Sequence, residues 1–229
     1  MDNFTPVAIA PMSMRHLPTL VRQLALAAAA LVLAMFGIYL ISGIGQDPLQ
    51  FVHPPQEYLA ILQRNPPMLK LAIGLDNLFI VLYSSLFLMV AASLWGRTGS
   101  KALLVVAFSL LAAVGVFDLL ENMHFLTMLA QAAQGMAIEP TQIQLQAWES
   151  QLKFHISYIG LFLLGYVLPD ETRLERALCF TLRWVQLPIG LLIYITPKPI
   201  AVPLVMGRFS FFLFALLAIS AIYRQRKYG

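Results

Sequence analysis

The sequence predicts an all-α, polytopic integral membrane protein: six transmembrane helices in one bundle, with both termini in the cytoplasm. Three observations carry that prediction. Hydrophobic residues make up 59% of the 229 positions and charged residues 11%, against roughly a quarter charged in soluble domains. The apolar residues come in runs of about twenty, the length that crosses a hydrocarbon core of roughly 30 Å. The basic residues stand singly or in pairs at the ends of those runs, where topology places them. One bundle uses up the chain, so residues 1–229 read as a single transmembrane domain.

The first span covers residues 24–44, preceded by Arg15 and Arg22. It is too long for the apolar region of a signal peptide and lacks a small-x-small cleavage site, so a retained helix is expected. Residues 71–95 form the second span, closed by Arg97 and Lys101, and residues 102–124 the third. Nothing breaks the third before Gly135, so its helix is expected to run on through 125–134. Residues 152–168 form the fourth span, ended by Pro169. The fifth, residues 177–195, contains Arg183 and is expected to kink at Pro188, where a backbone donor is missing. The sixth covers residues 203–223, with Pro203 suited to a first helical turn.

An even number of spans puts the termini on one side. Ten basic residues (Arg15, Arg22, Arg97, Lys101, Arg173, Arg176, Arg183, Arg224, Arg226, Lys227) then share that side against five (Arg64, Lys70, Lys153, Lys198, Arg208) on the other. The richer side is cytoplasmic. Trp95 and Trp184 fall at inner ends and Trp148 at an outer end, where indole rings favour the interface. Short loops and small-residue-rich spans fit a bacterial inner (cytoplasmic) membrane. The bilayer therefore accounts for the basic residues, and the net charge of +4 does not call for nucleic acid. Cys179 is the single cysteine, which excludes disulfides within the chain, CxxC redox chemistry and thiolate zinc sites.

Two outer segments differ in character. HPPQEYLAILQRNPP, residues 53–67, is bracketed by Pro-Pro pairs; Gln56 and Glu57 suit a first turn and Tyr58, Leu59, Ile61 and Leu62 an apolar stripe. A short interfacial helix on the outer leaflet is expected, serving as a connector ahead of a lid. Residues 131–150, rich in glutamine and without Lys or Arg, read as an external turn.

The chemistry concentrates in VFDLLENMHF, residues 116–125. At 1.5 Å per residue Asp118 stands roughly 24 Å up the third span, near the outer edge of the hydrocarbon. Asp76 and Asn77 on the second span, Lys153 on the fourth and Arg208 on the sixth reach the same level. Asp118, Glu121 and Asn122 lie within about 100° of one another around their helix, with His124 at the flank. Asp76 shares a face with Tyr83, and Lys153 with Ser157, while His155 points the other way. Three acids (Asp76, Asp118, Glu121) against two fixed cations (Lys153, Arg208) imply pairing across helices, since lone charges at membrane depth are costly. Glu149, four residues before Lys153, offers that lysine a local partner.

The candidate network or binding residues are thus Asp76, Asn77, Tyr83, Asp118, Glu121, Asn122, Lys153 and Arg208. The leading reading is an outer-leaflet polar cluster that holds helices together or binds a polar or lipid ligand. One alternative is a metal-dependent intramembrane hydrolase. Glu121-x-x-His124 sets two ligands one turn apart, and Asp118, Asp76 and His155 are available to complete a site. A second Glu-x-x-His, as a di-iron site needs, is absent. Another alternative is proton or ion handling by a desolvated outer carboxylate, although the inner halves of the spans carry no acid to continue a relay. A b-type haem between His124 and His155, with Arg208 near a propionate, is a further one. The sequence contains no Gly-x-Gly-x-x-Gly, P-loop, Gly-x-Ser-x-Gly or His-Glu-x-x-His motif. Whether the protein is an enzyme, and with what cofactor, stays open at this level.

Overall fold

The computed structural model describes residues 16–195 and 198–228. Of the basic residues counted above, Arg15 lies outside the described residues, as do the side chains of Lys198, Arg226 and Lys227. Among the described residues the regular structure is helical, without strands: α1 (Leu17–Ser42), a 3₁₀ turn (Asp47–Gln50), α2 (Pro55–Gln63), α3 (Pro66–Leu94), α4 (Lys101–Ala133), α5 (Pro140–Val167), α6 (Arg173–Phe180), a π-helical turn (Thr181–Val185), α7 (Gln186–Ile195) and α8 (Lys198–Tyr228).

Local chemistry fixes the boundaries. Prolines, which cost no hydrogen bond in a first turn, open α2, α3 and α5. Asn65 caps α3 by accepting from Met68 N–H at 3.3 Å, and Ser100 caps α4 by accepting from Leu103 N–H at 3.3 Å. Thr172 and Glu175 cap α6 reciprocally. Gly43, at φ +65°, stops α1 in the left-handed conformation that a side chain would resist. Gly135, at φ +70°, turns the chain after α4.

Among the described residues five helical stretches are long and apolar enough to cross a membrane: Leu17–Ser42, Pro66–Leu94, Lys101–Ala133, the continuous Arg173–Ile193, and Leu204–Gln225 within α8. The protein is a multi-pass helical membrane protein. The expected fourth span is not among the five. Its helix α5 is 28 residues long, but Gln146, Ser150, Gln151, Lys153 and His155 dilute the half that follows Pro140.

The long helices that follow one another in the chain are neighbours in space, and the first packs on the last. The order around the bundle is α1, α3, α4, α5, α6–α7, α8 and back to α1. On α4 and α5, Glu121 meets Ser150 while Leu111 and Ala107 meet Gly160, so the two run antiparallel over most of their length. One apolar core, from Val21 and Ala25 on α1 to Leu216 and Ile219 on α8, fills the end of the ring nearest the chain termini. A smaller one lies at the other end, where Tyr58 and Leu62 of α2 pack with Phe125 and Leu129 of α4. We call this second end the cap end.

Several expectations are corrected. Residues 131–150 are not an extended turn: α4 and α5 continue as a helical hairpin and only residues 134–139 turn. Glutamine content looked loop-like, yet Ile143, Gln146, Ala147 and Ser150 recur at helical spacing and are all buried. The α2 helix forms as expected, but Tyr58 and Leu62 turn inward onto α4. The fifth crossing is irregular one turn before Pro188: Gln186 N–H donates five residues back, to Thr181 O. The proline ring collides with the carbonyl four residues earlier, and a widened π turn accommodates it. Pro203 is not in a first turn, because α8 already starts at Lys198.

Candidate functional site

Near the cap end, α3, α4 and α5 bring polar side chains together inside the ring. Lys153 on α5 contacts Asp118 at 2.5 Å and also bonds Glu121, both on α4. Tyr83 on α3 donates its phenol proton to Asp118. Asn122 on α4 gives one amide hydrogen to Asp76 at 2.8 Å and the other to Asn77 at 2.9 Å, both on α3. Glu121 and Asn122 are wholly buried, at 0% exposure. A carboxylate there is tenable only when paired and hydrogen-bonded.

The bonding continues past the residues that the sequence singled out. Glu121 also accepts from Ser150, Gln146 Nε2 donates to Ser150 at 2.7 Å, and Tyr58 on α2 donates to Gln146 Oε1 at 3.2 Å. One chain of bonds thus links Tyr58 to Tyr83 across α2, α5, α4 and α3. Burial, with the Glu121 carboxylate adding to it, pushes the Tyr58 phenol above its ordinary pKa, so it serves as a proton donor. Gln146 and Ser150 were missed although they extend the Lys153–Ser157 face backwards by one and two turns. Reading 131–150 as a turn hid that signal.

The charge pairing differs from the expected balance. Arg208 pairs with Asp47 of the 3₁₀ turn, at 3.6 Å, and its guanidinium lies over the Phe154 and Phe209 rings at 4.2 and 5.1 Å. Glu149 does not serve Lys153; it bonds His124 at 2.7 Å. Three carboxylates therefore face the single ammonium of Lys153, and Asp76 makes no ion pair among the described residues.

The metal arrangement is not formed. Among the described residues no three His, Cys, Asp or Glu side chains converge as ligands. His124 is held by Glu149, His155 bonds the Gln151 carbonyl on its own helix at 2.7 Å, and Asp118 and Glu121 are engaged by Lys153. Glu121 and His124, one turn apart on α4, are drawn to different partners, Glu121 to Lys153 and Ser150 and His124 to Glu149.

The network is also a wall. A cavity of about 340 Å³ lies in the middle of the ring, lined by residues of α1, α3, α4, α5, α7 and α8. That is within the usual range for small-molecule sites. Asp76, Tyr83, Asp118, Lys153 and Arg208 border it, amid mostly apolar and aromatic side chains, and neither His124 nor His155 does. The turn that contains Asp47 and Gln50 closes it toward the cap end. Between α1 and α8 it reaches the surface of the bundle, where Leu33, Phe36, Phe209 and Ser210 line it and are exposed.

Compared with protein-family models, with curated proteins and with solved structures, the chain finds no match in any of the three.

Proposed function

We propose that this is a six-span protein of the cytoplasmic membrane, with both termini inside, that binds a small amphipathic ligand in its central cavity. The ligand enters from the outer leaflet between α1 and α8. The acid–lysine network locks α3, α4 and α5 together and supplies the polar part of the cavity wall. The observation that carries this reading is the cavity itself: it is bordered by charged groups of five elements and opens where its lining is apolar and exposed. A network serving only to hold helices would close on itself.

Two features support α5 as the sixth crossing. It runs antiparallel to α4 from the Glu121–Ser150 contact to the Gly160–Ala107 contact, and its charged half is turned into the protein, where Lys153 meets two carboxylates. Trp95, Trp148 and Trp184 are all exposed, as interfacial anchors would be. The α2 helix then sits over the outer ends of α4 and α5.

The test compares wild-type protein with Ser157→Phe, which fills the cavity from α5, after purification in lipid nanodiscs. Mass spectrometry of the released small molecules should show a species retained by the wild type and lost from the variant. Identical profiles, both empty included, would overturn the reading.

A further inference from the structure

We propose that the ligand is a lipophilic amine, its ammonium held by Asp76. This rests on the cavity reading above and adds the charge and depth of the occupant.

Charge comes first. Lys153 is shared by Asp118 and Glu121, and Arg208 is matched by Asp47 and covered by two rings. Asp76 borders the same cavity and receives one hydrogen bond, from Asn122, at 2.8 Å. The surplus in the wall is therefore negative, and Asp76 is where it is uncompensated. A cation placed there replaces a missing partner, whereas an anion adds to the surplus.

The surroundings suit an ammonium on an apolar body. Phe79 and Tyr83 continue the Asp76 face of α3 at i+3 and i+7, with their ring centroids 5.1 Å apart, and Phe212 of α8 meets Phe79 edge-on at 5.9 Å. Aromatic faces attract organic cations and accept alkyl chain equally well. From this point the lining leads between α1 and α8 to exposed Leu33 and Phe209, a route that an alkyl tail can follow into lipid.

A separate observation points to an occupant deeper in the cavity. Tyr158 on α5 and Gln186 on α7 both line it, each is 2% exposed, and Tyr158 Oη and Gln186 Nε2 are buried without a hydrogen-bond partner. Orphaned polar atoms at such burial are uncommon and costly. Tyr158 stands five residues beyond Lys153, about 8 Å further along the helix. A ligand carrying a hydroxyl or carbonyl group that far from its nitrogen would satisfy both atoms while its charge rests on Asp76.

The experiment titrates three probes of equal chain length, dodecylammonium, dodecanol and dodecyl sulfate, into the protein in nanodiscs of neutral phosphatidylcholine, with empty nanodiscs as reference. Saturable binding of dodecylammonium, at least tenfold tighter than dodecyl sulfate, is expected; Asp76→Asn should weaken dodecylammonium at least tenfold and leave dodecanol unchanged. Equal binding of all three, or tighter binding of the sulfate, overturns the amine assignment and leaves the cavity reading standing. Binding of none overturns both. Should Asp76→Asn fail to fold, the charge preference of the wild type decides the question alone.

Discussion

Lys153 on α5 and Asp118 on α4 are joined at 2.5 Å, and the same ammonium bonds Glu121. One cation thus stabilises two carboxylates inside the bundle, Asp118 at the cavity wall and Glu121 wholly buried. Removing one partner of a buried ion pair typically costs about 3–5 kcal/mol, because the other charge stays buried and unpaired. Lys153→Met is expected to lose stability of that order, read as the midpoint of unfolding in mixed micelles. Combining it with Asp118→Asn and Glu121→Gln removes the stranded charges and should recover most of the loss. A triple variant no more stable than the single one would show that the lysine acts by packing.

At the other end of the bonded chain, Tyr58 donates to Gln146 Oε1 at 3.2 Å. Tyr58→Phe leaves a buried acceptor with one donor fewer, at an expected cost of about 1–3 kcal/mol. The pH dependence has a definite sign. Burial and Glu121 raise the Tyr58 pKa in the folded protein, so above the ordinary phenol range, about 10, the unfolded chain gives up this proton while the folded chain keeps it. The contribution of Tyr58 to stability is fully present below that pH and declines above it. Stability profiles of wild type and Tyr58→Phe should therefore run parallel at neutral pH and converge in alkali.

The Tyr158 ring occupies the space beside Gly190 on α7. A Cβ at position 190 would collide with the ring carbon that bears the hydroxyl. The ring is almost fully buried and its open side is the cavity, so Gly190→Ala should cost about 1–3 kcal/mol through overpacking and, by pushing the ring into the cavity, should weaken retention of the ligand. Gly74→Ala is the control, since a Cβ there meets nothing within 4 Å. It should be neutral or stabilising by up to about 1 kcal/mol, through helix propensity.

How much of this was legible in the sequence depends on whether a residue's neighbour is set by its own helix or by another. The composition of Asp118, Glu121 and Asn122 with their rotation about α4 is a property of one helix, and the sequence supplied it. The uninterrupted run of α4 to Gly135 is of the same kind. The partners of Lys153 were not legible. Spacing favoured Glu149, four residues away on the same helix, but the pairing of α4 with α5 brings Asp118 and Glu121 to it and sends Glu149 to His124. Asp47 and Tyr58 belong to the segment between α1 and α3, whose return path over the bundle no periodicity encodes, so their contacts with Arg208 and Gln146 emerged only in three dimensions.

The Asp47–Arg208 pair, at 3.6 Å, is the longest ion pair among the described residues and joins the turn over the cavity to α8. Its Asp47 side is partly open to solvent, so Asp47→Asn should change global stability by less than about 1 kcal/mol. Its effect should be local, loosening the turn from α8 and admitting water to the cavity from the cap end. Ser157, which lines the cavity, can report this as Ser157→Cys in a Cys179→Ser background, since Cys179 is the single native thiol. Labelling by a membrane-impermeant maleimide should be slow with Asp47 in place and several-fold faster with Asp47→Asn. Equal rates would mean that the turn does not gate the cavity and that access is lateral only, through the gap between α1 and α8.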